Sequence, residues 1–268
     1  MPKPEIIYDY PYYFKDNNSE QNIIFCHGFN SKYTALELFA NQHSKFNFYA
    51  LQFPGSNLTK PIEDHKVSIK EYSRLLIEFI IKNNIKNVIL IGKSMGAATA
   101  VLAYKTRPEL ISKLVLITPI NKSQLELDVW KQKKYLPTNF DEYLHNFVPL
   151  IYYEYKLLQK DKDWIFKASA KFDPKYYNNE WVKELDNQLT DLKIHNEIEQ
   201  AYLSVKIPTL IILADKDRLI DCELSKQYFH KHMPKARIEI ITNSAHMVYK
   251  EKSDVLNSLI EHFLNELN

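Results

Sequence analysis

The run Asn87-Val88-Ile89-Leu90-Ile91-Gly92-Lys93-Ser94-Met95-Gly96-Ala97-Ala98-Thr99-Ala100 decides the fold. An apolar stretch with the look of a buried strand leads into Gly-x-Ser-x-Gly, and small residues suited to a helix start follow. A serine at the apex of so sharp a turn takes a strained backbone conformation. The residues two before and two after it must lack a side chain for strand and helix to approach. The 268-residue chain has only four glycines, Gly28, Gly55, Gly92 and Gly96, all within its first hundred positions. At that scarcity a chance match has a probability of roughly a few in a thousand, so the motif is informative by itself.

Working outward, short runs rich in β-branched residues alternate with amphipathic stretches. Strands are expected at Ile23 to Cys26, Asn47 to Leu51, Val88 to Ile91, Leu114 to Thr118, Thr209 to Leu213 and Ile238 to Ile241. Each is mostly apolar along its length, as when both faces of a parallel sheet are covered. Helices are expected over 68–83, with Ile69, Tyr72, Leu76, Phe79 and Ile80 on one face, over 95–106 and 222–232, and along the stripe Val255, Leu259, Ile260, Phe263 and Leu264. The alternation predicts a doubly wound, mostly parallel α/β sheet.

Between Pro119 and Ile207 the alternation stops. This stretch holds all three tryptophans, Trp130, Trp164 and Trp181, and helical spacing at Phe140, Tyr143, Leu144 and Phe147. It reads as a helical insertion, 119–207, in a core made of 1–118 and 208–268. Most of its aromatics are expected to pack its own small core. A minority would border a substrate pocket beneath a cap, with Trp130, Tyr153 and Trp164 the first candidates.

A serine hydroxyl is a poor nucleophile near neutral pH and needs a base within hydrogen-bond reach and an acid to orient that base. Of nine histidines, His246 lies in a loop just after the last strand, where the carboxyl ends of such sheets place functional groups. His27, beside Gly28, reads as a loop-shaping residue. His230 and His232 sit on different helix faces, and His43, His65, His145, His195 and His262 read as solvated surface residues. For the acid, Asp215 and Asp217 both follow the strand Thr209 to Leu213, one as a turn residue and the other as the partner of histidine.

With these residues in place the chain resembles the α/β-hydrolase superfamily, of the capped esterase and lipase kind, over nearly the whole core. His27-Gly28-Phe29, Phe53-Pro54-Gly55, Gly92-Lys93-Ser94-Met95-Gly96, Asp217-Arg218-Leu219-Ile220 and Ala245-His246 carry the resemblance. It implies Ser94 as nucleophile, His246 as base, Asp217 rather than Asp215 as acid, and the backbone N–H groups of Phe29 and Met95 as oxyanion hole. It implies a carboxylic ester substrate cleaved through an acyl-enzyme, with neither metal nor organic cofactor. Thioesters and carbon–carbon bonds next to a ketone are alternatives that the same triad serves. The elbow does not resemble the proline-releasing peptidase branch. A noncatalytic ligand-binding protein of this fold is the alternative from another class. Asn57, Ala214 and Ala245 stand where the family often has glycine, and Lys93 has no role in this reading.

Composition bounds the partners. The net charge of +2 comes from nearly balanced acids and bases without a basic stripe, so nucleic acid is not expected as a partner; a small-molecule acyl ester is the partner the resemblance implies. Neither a signal peptide nor a membrane span is expected. Two cysteines make no disulfide framework, and a cytoplasmic setting is the expectation.

Overall fold

The structure, a computed structural model, describes residues 5–266. Its sheet comprises β1 (Tyr12–Lys15), β2 (Asn22–Cys26), β3 (Asn47–Leu51), β4 (Val88–Lys93), β5 (Ile111–Ile117), β6 (Thr209–Ala214) and β7 (Arg237–Ile241). They run in the order β1-β3-β2-β4-β5-β6-β7. All neighbours pair in parallel except β1, which lies antiparallel to β3. The six strands expected from sequence are present, and β1 is additional. An edge strand is apolar on neither face throughout, and Tyr12-Tyr13-Phe14-Lys15 stays partly exposed, so a search for doubly covered strands passes over it.

The longer helices are α1 (Ile69–Lys82), α2 (Met95–Thr106), α3 (Lys162–Lys171), α4 (Glu180–Thr190), α5 (Leu192–Ser204), α6 (Cys222–His232) and α7 (Ser253–Glu266). Ser68 caps α1 by accepting from the Glu71 N–H, and Ile69, Tyr72, Leu76, Phe79 and Ile80 form its buried face. Those side chains join α2, Tyr202 of α5 and Phe229 of α6 in one core beneath the sheet. Phe39 and the α7 residues Ile260, Phe263 and Leu264 cover the opposite face. With helices on both sides, β2, β4 and β6 are buried along their whole length, which is why their sequences are unbroken apolar runs. The sheet is doubly wound, as its sequence pattern implies.

The segment between β5 and β6 is helical. Asp161, Asn179 and Asp191 cap α3, α4 and α5 through their side chains. Ahead of α3, Tyr143–Phe147 forms a π-helical turn that runs into Val148–Ile151. Tyr143, Phe147, Phe172 and Tyr177 cluster with ring centroids between 5.5 and 6.1 Å apart. The C-terminal helix of the segment, α5, packs on α2.

One expectation is corrected here. His195 is not a solvated surface residue: it is 1% exposed, with Nε2 2.9 Å from the Leu189 carbonyl oxygen. It shares the buried face of α5 with Ile198, Ala201 and Tyr202, at the three-, six- and seven-residue spacing that one side of a helix presents.

Candidate active site

Ser94 joins β4 to α2 with φ 54° and ψ −120°, a left-side conformation that a non-glycine residue holds only where the surroundings enforce it. The flanking glycines allow the enforcement. A Cβ on Gly96 would lie 2.1 Å from the Cys26 carbonyl oxygen, and one on Gly92 would lie 2.6 Å from the Ala97 Cα. Helix α2 therefore starts directly against β2 and β4. The Met95 N–H, at its first position, has no partner within the helix and directly follows Ser94, while the Ala97 N–H donates to the Ser94 carbonyl at 3.0 Å.

Asp217 and His246 come from the loops after β6 and β7. Both are 6% exposed, and His246 Nδ1 lies 2.7 Å from Asp217 Oδ2. The other carboxylate oxygen, Oδ1, accepts from the Leu219 and Ile220 N–H groups at 2.8 and 3.0 Å. The carboxylate is thus fixed by its own loop before it meets the ring, and Nδ1 carries the proton that leaves Nε2 as acceptor. Asp215 does not reach His246. It pairs with Lys216 at 3.2 Å and accepts from the Ser244 N–H at 3.3 Å. Glu251 accepts from Ala245 N–H at 2.8 Å and braces the same loop. Burial lowers the His246 pKa below its ordinary value; Asp217 opposes that shift and the Lys93 charge adds to it. The imidazole is therefore neutral at neutral pH.

The His27–Asn30 loop is held by His27, as its sequence position implies, together with Gln52, Asn30 and Tyr176, which sequence reading passed over. His27 Nδ1 donates to the Gly28 carbonyl at 2.8 Å, while Nε2 accepts from the Phe53 N–H and from Gln52 Nε2, each at 3.2 Å. Burial drives the His27 pKa down to about 4, consistent with that neutral tautomer. Asn30 Oδ1 accepts from the Asn57 N–H at 3.1 Å and its amide donates to the Tyr176 carbonyl at 2.6 Å. The Tyr176 hydroxyl donates back to the Asn30 carbonyl. Asn57 itself sits at φ 51°, a left-handed conformation that asparagine tolerates better than most non-glycine residues. Ala214 and Ala245 are outside the positive-φ set of the described residues.

Ser94, His246 and Phe29 line one cavity of about 790 Å³, whose inner wall includes Trp130, Tyr135, Tyr143 and Phe147. Trp130 is anchored by its indole N–H on the Leu219 carbonyl at 2.7 Å. Tyr153 and Trp164 are not among the lining residues: the Tyr153 N–H is tied to Glu251 at 2.7 Å, and it is the preceding Tyr152 that meets the cavity. Lys93 lines the cavity too, 6% exposed, with Nζ 5.4 Å from the Tyr249 ring centroid. Burial pushes its pKa down to about 8 against the pull of Asp217. Among the described residues no cluster of His, Cys, Asp and Glu has a metal-holding arrangement, and no helix is long and apolar enough to cross a membrane.

A parallel sheet of this order, with a strained serine after the central strand and a paired Asp and His on later loops, defines the α/β-hydrolase class. A family model described as Serine aminopeptidase, S33, matches residues 17–253, and the chain belongs to that family. A protein of Mycoplasma pneumoniae named "Putative esterase/lipase 3" is 27% identical over 252 residues, covering 91% of this chain and 88% of its own. In three dimensions the chain resembles an esterase from Exiguobacterium antarcticum, with TM-score 0.71 and 17% identity over 94% of this chain and 95% of that one. It equally resembles a meta-cleavage product hydrolase from Pseudomonas fluorescens IP01, with TM-score 0.72 and 18% identity over 96% and 94%. The chain is a hydrolase of this superfamily with esterase- and lipase-named relatives.

Proposed function

We propose that the protein is a serine esterase that cleaves carboxylic esters through an acyl-enzyme. The observation that carries this reading is the strained Ser94 sharing a cavity with His246, whose Nδ1 is held by Asp217 at 2.7 Å. Ser94 Oγ attacks the acyl carbonyl as His246 Nε2 takes its proton. The N–H groups of Phe29 and Met95 hold the oxyanion, each worth about 3 kcal/mol in sites of this kind. The imidazolium, stabilised by Asp217, returns the proton to the departing alkoxide. Water then enters the same site and gives a proton to His246 as its oxygen attacks the acyl carbon. As the acyl–Oγ bond breaks, His246 returns that proton to Ser94 Oγ, releasing the carboxylic acid and the free serine.

The helical segment between β5 and β6 serves as the cap, its aromatic wall taking the acyl chain. An aminopeptidase, as the family description names, must bind the ammonium of a free N-terminus. The charged side chains lining this cavity are Lys32, Lys93 and Lys250 with the single acid Glu37, a balance that favours esters. The carbon–carbon hydrolase named among the structural neighbours uses a likeness of fold only.

A fluorophosphonate probe together with a nitrophenyl ester series tests the proposal. Wild type should be labelled and turn over esters, and Ser94→Ala should lose labelling and fall by several orders of magnitude in turnover. Ester hydrolysis by purified Ser94→Ala within a few-fold of wild type would sink it. Cleavage of aminoacyl-nitroanilides in preference to esters would move the activity to the peptidase side.

A further inference from the structure

The cavity is uneven in charge. Much of its lining is aromatic, whereas its charged residues are Lys32, Lys93 and Lys250 against the one acid Glu37, with Lys93 beside Tyr249 and within reach of the Lys250 charge. Lys32, Lys250 and Glu37 are exposed, but Lys93 is 6% exposed. Its ammonium has neither an ion-pair partner nor a hydrogen-bond acceptor among the described residues; what it meets is the face of Tyr249, 5.4 Å to the centroid. Asp217, the acid that acts on it from nearby, has its oxygens engaged with His246, Leu219 and Ile220. Lys250, whose positive charge bears on Lys93, meets only the Tyr152 hydroxyl at 3.4 Å.

A buried cation whose nearby carboxylate is already committed to other partners is only partly compensated, which is costly. The elbow does not require one, because its geometry rests on Gly92, Gly96 and the Ser94 backbone, and an apolar side chain would fill the place of Lys93 at no such cost. The ammonium is instead kept on the wall of the cavity that Ser94 also lines, close enough for its charge to act on Asp217 and His246.

We propose that Lys93, with Lys250 at the rim, forms an anion subsite beside Ser94, and that the preferred substrates are esters bearing a carboxylate or phosphate group. This rests on the serine-esterase reading. An arriving anion accepts from the ammonium of the 6% exposed Lys93, where a charge-assisted hydrogen bond is stronger than at an open surface. It also cancels the repulsion between the two lysines. Burial leaves Lys93 cationic at neutral pH, with its pKa near about 8, and the bound anion holds the proton on more firmly.

Matched substrates test the subsite: 4-nitrophenyl hydrogen glutarate against 4-nitrophenyl butanoate, and 4-acetoxybenzoate against its methyl ester. Adding 4-acetoxyphenyl phosphate separates phosphate from carboxylate. In wild type the anionic member of at least one pair should have a kcat/KM about tenfold above its neutral partner. Lys93→Met should lower that ratio about tenfold, Lys250→Gln about threefold, and Lys93→Arg should retain most of it, because the ratio cancels any general loss of activity. A ratio that Lys93→Met leaves unaltered in every pair would overturn the subsite. Calorimetry of glutarate with Ser94→Ala, beside dimethyl glutarate, reads the subsite without turnover. Glutarate binding lost on adding Lys93→Met supports it, and no binding overturns it, whatever the probe says of Ser94.

Discussion

At Asp217 a single carboxylate does two things at once: one oxygen closes its own turn on Leu219 and Ile220 while the other meets His246. Asp217→Asn keeps the turn but presents an amide that favours the wrong imidazole tautomer, so kcat should fall by roughly a thousandfold or more. Asp215→Asn, which touches only the Ser244 N–H and Lys216, should stay within about tenfold of wild type. Stopped assays of both variants on one nitrophenyl ester decide the assignment; a collapse confined to Asp215→Asn would reverse it. The pH profile follows from His246. Neutral imidazole is the active form and burial depresses its pKa, so the acidic limb of kcat/KM for a neutral ester should lie below the ordinary histidine value of about 6.5. Removing the Lys93 charge relieves a contribution that disfavours imidazolium. In Lys93→Met the limb should therefore move to higher pH, and a shift to lower pH would contradict the electrostatics.

At the level of elements, the His27–Asn30 loop is set by residues distant in sequence. His27 binds a proton far less readily when folded, its pKa lowered from 6.5 to about 4 by burial. Above pH 6.5 neither the folded nor the unfolded chain is protonated there. As pH falls toward 4 the unfolded chain takes up a proton that the folded chain refuses, so stability is lost across that window, by about 3 kcal/mol in all. Urea denaturation at pH 7.5 and pH 4.5 should show the decline, and His27→Gln should flatten part of it. The same loop shows what sequence leaves illegible. Gly92, Ser94 and Gly96 are readable because one local turn demands all three, and His246 because it follows a strand end; the end of β6 offers both Asp215 and Asp217, and only the family resemblance separates them. Tyr176 and Asn30 are 146 residues apart, and Gln52 reaches His27 across 25, so neither pairing leaves a local periodicity. His195 could have been found: its spacing to Ile198 and Tyr202 marks a buried helical face, which its polar neighbours obscured.

Across the whole molecule, the sheet was legible because β2, β4 and β6 are covered on both sides, while the cavity wall was not, because it is assembled from the irregular part of the chain. Of the aromatics between Pro119 and Ile207, those that reach the cavity come from several short helical turns with different exposures. Trp130 is among them, and Tyr143 and Phe147 line it from the π-helical turn. Phe147→Ala should lengthen the preferred acyl chain in a nitrophenyl ester series without loss of probe labelling at Ser94; an unchanged profile would assign Phe147 to packing alone. The reciprocal tie between Tyr176 and Asn30 has a consequence for the turnover cycle. Asn30 follows Phe29, the residue proposed for the oxyanion, and Tyr176 belongs to the helical segment between β5 and β6 and lines the cavity. Under the proposed mechanism, a shift of the helical segment at Tyr176 would carry the loop of the oxyanion hole with it, so that substrate entry and oxyanion stabilisation are coupled through these two hydrogen bonds.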